Sequence, residues 1–103
     1  MIFEALYESA QRGELLLIDG GYCRYHLKAD GFLTIYEIIA TKKGSGTKLL
    51  NILKCIRYAK WIIARCPADL ESNQWYEKKE FTKIATERTI KNNREINVWC
   101  LIL

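Results

Sequence analysis

The chain has 103 residues, half of them hydrophobic and one of them proline, with 16 Lys and Arg against 12 Asp and Glu for a formal charge of +4. That length supports one hydrophobic core and not two, so a single domain over 1–103 is expected, and the composition excludes a disordered chain. No apolar run approaches the roughly 20 residues of a membrane helix, and Met1-Ile2-Phe3-Glu4-Ala5 lacks the basic head of a signal peptide, so a cytoplasmic protein without membrane contact is expected.

Residues 2–12 place Ile2, Phe3, Leu6 and Tyr7 near one helical stripe, and Gly13 is a suitable stop. Three strands follow, "ELLLI" (14–18), "YCRYHLK" (22–28) and "FLTIYEIIA" (32–40), joined by Asp19-Gly20-Gly21 and Ala29-Asp30-Gly31. Leu49, Leu50, Ile52, Leu53, Ile56 and Ala59 then recur at helical spacing, with Lys48, Asn51, Lys54 and Arg57 on the remaining surface. "WIIARC" (61–66) reads as a buried strand ended by Pro67, so 32–66 forms a strand, helix, strand crossover of the parallel kind. A short helix over about 71–79, capped by Ser72 or Asp69, carries Trp75 and Tyr76. Two last strands, roughly 82–90 and 95–103, flank Lys91-Asn92-Asn93-Arg94, where asparagine tolerates left-handed backbone. The order predicts an α/β chain with a mixed, mostly antiparallel sheet, a central parallel strand pair and helices packed on it.

Cys23, Cys55, Cys66 and Cys100 are widely spaced inside apolar runs, with no C-x-x-C pair, so buried free thiols are expected and no metal site. The single histidine, His26, lies in a strand, where a structural or surface role is expected. Between Glu37 and Asp69 stand Lys42, Lys43, Lys48, Lys54, Arg57, Lys60 and Arg65 with no acid. This segment suits an anionic ligand, either a nucleotide cofactor or a nucleic acid; a solvated helix face accounts for Lys54, Arg57 and Lys60 equally well.

Gly44 and Gly46 stand where the third strand gives way to the second helix. Closely spaced glycines at a helix start offer free amides and the positive end of the helix dipole to a phosphate. A Walker loop does not fit, because Gly46 is followed by Thr47 and then Lys48. A dinucleotide fingerprint fails too, because Leu49 stands where its third glycine belongs.

Thr41-Lys42-Lys43-Gly44-Ser45-Gly46 resembles the Arg/Gln-x-x-Gly-x-Gly/Ala signature of the GNAT superfamily of acyl-CoA N-acyltransferases. "ARCPADLESNQWYEKKEF" (64–81) is similar to the family's second pattern, with Asn73, Trp75, Tyr76, Glu77, Lys78 and Phe81 matching in type and spacing. The likeness runs from about Gly13 to the C-terminus. It implies acetyl transfer from acetyl-CoA, as co-substrate and without a metal, to a primary amine of a small molecule or protein. By the same resemblance Tyr76 is the general acid and Asn73 contacts the CoA arm. The pantetheine pairs with backbone near Ile38, Ile39 and Ala40, and the pyrophosphate lies on Gly44, Ser45, Gly46 and Thr47. Glu37, the one carboxylate in the central apolar run, is the candidate base, with a salt-bridged glutamate or a water as the competing readings.

Two substitutions depart from the pattern. Thr41 replaces Arg or Gln, which shifts phosphate binding toward backbone amides and Lys42 or Lys43, and Glu80 replaces a glycine. One N-terminal helix stands where the family has a strand and two helices, so a homodimer partner is expected to complete the acceptor wall. Three alternatives remain open: an enzyme of this fold that modifies a nucleic acid, suggested by the basic segment with Trp61, Trp75 and Trp99; a non-catalytic acyl-CoA binder; and a nucleic-acid-binding module.

Overall fold

The computed structural model describes residues 2–103, with side chains from Phe3 onward, so the Ile2 side chain of the first helical stripe and Met1 lie outside the described residues. The elements are α1 (Ile2–Gln11), β1 (Leu15–Ile18), β2 (Gly21–Leu27), β3 (Phe32–Ala40), α2 (Ser45–Lys54), β4 (Trp61–Pro67), α3 (Ser72–Lys78), β5 (Thr82–Arg88) and β6 (Glu95–Ile102). They build one six-stranded sheet in the order β1-β2-β3-β4-β6-β5, in which β3 and β4 are the parallel pair and every other pairing is antiparallel.

The core forms where α2 lays Leu49, Leu50 and Leu53 on Leu33 and Ile35 of β3, Ile62 and Ala64 of β4, and Cys23 of β2. These residues alternate along each strand, so one sheet face carries the apolar set. Tyr76, Phe81 and Trp99 extend the same core under α3. At the sheet edge all seven residues of β5 are exposed. Lys83, Glu87 and Arg88 there discourage pairing with another chain.

Four expectations are corrected. The second helix ends at Lys54, capped by Cys55, although its apolar pattern continues to Ala59. Ile56 and Ala59 still reach the core, because two tight turns (Ile56 N–H to Leu53 O, Ala59 N–H to Ile56 O) repeat the three-residue spacing of a helix face. Neither Ser72 nor Asp69 caps α3; Glu71 occupies that position and makes no side-chain capping bond. Pro67 lies within β4 and pairs with Ile96. Of the four cysteines only Cys23 and Cys66 are buried, while Cys55 is exposed at the end of α2 and Cys100 is half-buried.

Glu80 ends the turn after α3 with φ 69°, in the left-handed region, and its neighbour Phe81 donates back to Tyr76 O across 3.0 Å. A side chain there clashes with its own backbone at a cost of about 1–2 kcal/mol, partly offset by the greater unfolded-state freedom of glycine. Glu80→Gly is therefore expected to stabilise the fold by about 0.5–1 kcal/mol. A denaturation midpoint equal to or below that of the parent would show that the turn carries no such strain.

Candidate active site

Parallel pairing of β3 with β4 runs from Phe32↔Trp61 to Ile35↔Ala64 and then stops. Beyond that point β3 stays on β2 and β4 stays on β6, so the two strands part. The cause is a bulge. Arg24 faces Glu37 while the next residue, Tyr25, faces Ile35, which leaves Tyr36 as the extra residue that bends β3. The opening is a cleft of about 470 Å³ lined by Tyr36–Ala40 of β3, Arg65, Cys66 and Pro67 of β4, Gly46 of α2, and Leu70, Ser72, Trp75 and Tyr76 around α3. Among the described residues the β3 edge at Ile38, Ile39 and Ala40 has no strand partner on this side, so its peptide groups are open to an extended ligand.

One end of the cleft is the N-terminus of α2. Gly44 takes φ +86° and turns the chain into the helix; a side chain at that angle would be strained. Helical bonding begins with Lys48 N–H to Gly44 O, and Ser45 N–H is taken by Lys42 O. Among the described residues no protein acceptor meets the amides of Lys43, Gly44, Gly46 or Thr47, and no side chain caps the helix. Those free donors and the positive end of the helix dipole have the chemistry that suits an anion. Ser45 itself is buried. A Cβ on Gly46 would come within 3.4 Å of the Trp75 ring, which closes this side. The Thr41 hydroxyl donates to Gly20 O and Lys42 Nζ lies 2.8 Å from Asp19 Oδ2, so among the expected phosphate contacts Lys43 is the cation that forms no ion pair with a described residue.

Tyr76 lies at the other side, 6% exposed, with Trp75 and Phe81 edge-on to its ring at 5.1 Å each and Trp99 stacked at 6.2 Å. Burial pushes its phenol well above the ordinary value of 10.0, with the Cys66 and Cys23 thiols adding to the effect, so the hydroxyl stays protonated at neutral pH. It forms no hydrogen bond with another described residue, and among those residues no fully buried polar side-chain atom goes unpartnered. The hydroxyl is therefore not fully enclosed, and the residue forms part of the cleft wall. Burial likewise pushes the Cys23 thiol up to about 12.

Glu37 lines the cleft but is not free: Arg24 Nε donates to its Oε1 across 3.2 Å. Tyr22 shares this face two residues along β2, and its phenol is pushed up by burial first and the Glu37 carboxylate second. Asn73 departs most from its expected role. It does not line the cleft, and its side chain is spent on protein partners, donating to Pro67 O and Leu70 O and accepting from Asn97 and Trp99.

The three tryptophans that suggested a nucleic acid are packed against protein groups. Trp61 stacks on Phe32 at 4.5 Å, Trp75 packs on Tyr76 and against Gly46, and Trp99 is buried. Within the basic segment Lys42 is paired with Asp19 of the β1–β2 turn and Arg65 with Glu87 of β5. Among the described residues no group of three or more His, Cys, Asp or Glu is placed to hold a metal, and no helix is long and apolar enough to cross a membrane.

His26 joins a second polar cluster at the β1 edge. Glu14 binds Arg12 Nε at 2.6 Å through one oxygen and His26 Nδ1 through the other, and the His26 ring stacks on Tyr36. Hydrogen bonds from Arg12 and then from His26 hold the Glu14 carboxyl below its ordinary 4.5. A depressed folded-state value adds stability that is complete above the unfolded pKa and is lost as pH falls through the folded one. The stability difference between the parent and Glu14→Gln is thus expected to be largest near neutrality and to shrink below about pH 4.5. Denaturant midpoints at about pH 7 and about pH 3 check this, and a constant difference would remove the coupling.

The sequence did not point to Arg24, and it offered Trp99 for a nucleic acid and not for a contact with Asn73. Counted back from the 28–32 turn without a bulge, Arg24 would face Tyr36, so the partner of Glu37 became visible only with the irregular register. The same-face alternation of Asn97 and Trp99 was readable, but not their convergence on Asn73, more than 20 residues away.

No family model matches this chain, and no curated protein matches it in sequence. Solved structures do match. A GNAT-family acetyltransferase from Bacillus cereus ATCC 10987 superposes with a TM-score of 0.80 over 96% of this chain and 77% of that one, at 14% identity. The ribosomal-protein-S18-alanine N-acetyltransferase of Escherichia coli gives 0.73 over 96% and 76%, at 17% identity. A protein described as a streptothricin acetyltransferase from Bacillus anthracis str. Ames, in complex with acetyl coenzyme A, gives 0.67 over 81% and 56%, at 16% identity. With its single bulge-opened parallel pair in an otherwise antiparallel sheet, the chain is a GNAT-fold protein.

Proposed function

We propose that this protein is an N-acetyltransferase, a single domain over residues 1–103 that moves an acetyl group from acetyl-CoA to a primary amine of a small molecule or protein. The observation that carries this reading is the cleft itself. It joins four unpartnered amides beside Gly44 and Gly46, an unpaired strand edge at Ile38, Ile39 and Ala40, and a phenol kept protonated by burial. A pyrophosphate suits the amides, an extended pantetheine suits the strand edge, and a departing thiolate needs the proton.

Acetyl-CoA supplies an activated thioester. The chain's part is to hold it extended between β3 and β4, to exclude water with Trp75 and Tyr76, and to move two protons. The amine nitrogen attacks the carbonyl carbon, the C–N bond forms, and the C–S bond breaks as Tyr76 gives its hydroxyl proton to the sulfur. The nitrogen's surplus proton goes to Glu37 or through water, and Arg24 holds that carboxylate in place. Thr41 and Lys42, engaged with Gly20 and Asp19, shape the loop, while the amides and Lys43 meet the phosphates.

Glu37→Gln is expected to lower kcat by about a hundredfold, with little change in acetyl-CoA affinity. An unchanged rate would assign proton removal to water alone. Calorimetric titration with acetyl-CoA, and with ATP as control, tests the reading as a whole. Saturable binding of acetyl-CoA alone supports it; binding of neither refutes it.

A further inference from the structure

The Asn73 amide is saturated. Its Nδ2 donates to Pro67 O at 2.8 Å and to Leu70 O at 2.7 Å, while its Oδ1 accepts from Asn97 Nδ2 at 3.0 Å and from Trp99 Nε1 at 2.9 Å. Chemistry fixes this orientation, because carbonyls only accept and an indole N–H only donates. One side chain thereby ties together the end of β4, the loop before α3, and β6. Asn97 and Trp99 are both buried, so their two bonds to Asn73 are partly shielded from water.

This tie bears on Tyr76 by two routes. Tyr76 follows Asn73 by three residues on α3 and so lies one turn along the same short helix. The Trp99 indole that donates to Asn73 also lies against the Tyr76 ring, at 6.2 Å and within 18° of parallel. A helix of seven residues without a side-chain cap has little stability of its own, so its placement is set by what it is tied to.

We infer that Asn73 is a positioning residue: together with Trp99 it locks the start of α3 against β4 and β6 and so holds the Tyr76 ring and hydroxyl in the cleft. The catalytic consequence rests on the acyl transfer proposed above, in which the Tyr76 O–H bond breaks as its proton passes to sulfur and solvent later returns a proton to the phenolate. The placement of the ring does not depend on that reaction.

The test uses Asn73→Ala, Asn73→Asp and Trp99→Phe in the full chain. Three readouts are taken: kcat and KM with acetyl-CoA and an amine acceptor, calorimetric binding of acetyl-CoA, and ultraviolet titration of the Tyr76 phenol, isolated by difference against Tyr76→Phe in the same background. For Asn73→Ala the expectation is a kcat at least about tenfold lower, acetyl-CoA KM and Kd within about twofold of the parent, and a phenol that ionises at lower pH as water reaches the loosened ring. Asn73→Asp keeps the acceptor for Asn97 and Trp99 but sets a carboxylate oxygen against the Pro67 and Leu70 carbonyls, so it is expected to lower kcat at least as much as Asn73→Ala. A lower melting temperature with unchanged kcat and unchanged phenol titration would make Asn73 merely structural and overturn the inference. Weaker acetyl-CoA binding with an unchanged kcat would make it a ligand contact, and overturn it equally.

Where Asn73→Ala does not fold, Trp99→Phe decides. It keeps a ring beside Tyr76 and deletes one hydrogen bond, and a phenol titration identical to the parent's would end the inference. Where the parent itself neither binds nor turns over acetyl-CoA, acyl transfer falls, and the phenol titration still decides whether Asn73 places Tyr76.

Discussion

Tyr76→Phe is expected to lower kcat by about 10²–10⁴-fold while leaving acetyl-CoA binding intact. The change deletes one oxygen and nothing else. The ring keeps its contacts with Trp75, Phe81 and Trp99, so the fold and the cleft wall persist. Only the proton for the leaving sulfur is lost. Because burial raises the phenol above its ordinary 10.0, deprotonation of this residue should cause no loss of rate at or below that pH in the parent. Steady-state rates of both proteins across the alkaline range, with calorimetry on each, test both statements. Equal turnover would remove Tyr76 from the mechanism, and loss of binding would recast it as part of the ligand wall. A catalytically idle acyl-CoA binder predicts neither turnover in the parent nor any kinetic change on substitution.

Leu33→Ala should be the most damaging simple truncation in the core, at about 2–5 kcal/mol. Leu33 is fully buried on β3, directly beside Ile62 of the parallel pair and in the same cluster as the three α2 leucines. Its removal leaves a cavity at the last stretch where β3 and β4 are still joined, and the pleated neighbours cannot collapse into it without breaking strand register. In a domain of this size each kcal/mol lowers the melting temperature by about 4–8 °C, so a fall of at least about 8 °C is expected. A fall of a degree or two would mean that α2 relaxes into the space. The comparison with Leu17→Ala is informative, since that residue is 75% exposed on β1 and its loss should be close to neutral.

The order of elements was legible because its causes are local. Alternation in 32–40, the helical stripe of Leu49, Leu50 and Leu53, and the Gly and Asn turns are each set by residues within a few positions of one another. The free amides were legible for the same reason: they follow from Gly44 and Gly46 at a helix start, whatever packs around them. The stripe nevertheless overran the true end of α2, because the turns through Ile56 and Ala59 keep a helix-like spacing without the helix.

Tertiary structure decided what depends on distant partners. Lys42 and Arg65 look like free positive charge along the chain, but Asp19 of the β1–β2 turn and Glu87 of β5 pair with them. Whether Glu37 stands alone or paired turns on one bulge residue, Tyr36, which shifts the register so that Arg24 lies opposite it. Asn73, whose type and spacing suggest a ligand contact, is claimed by Asn97 and Trp99 of the last strand. The sequence by itself determined which segments form strands and helices and where a phosphate would find amides, since those follow from neighbouring residues. Only the folded sheet determined which polar side chains are left over for chemistry, because their hydrogen bonds and ion pairs join residues far apart along the chain.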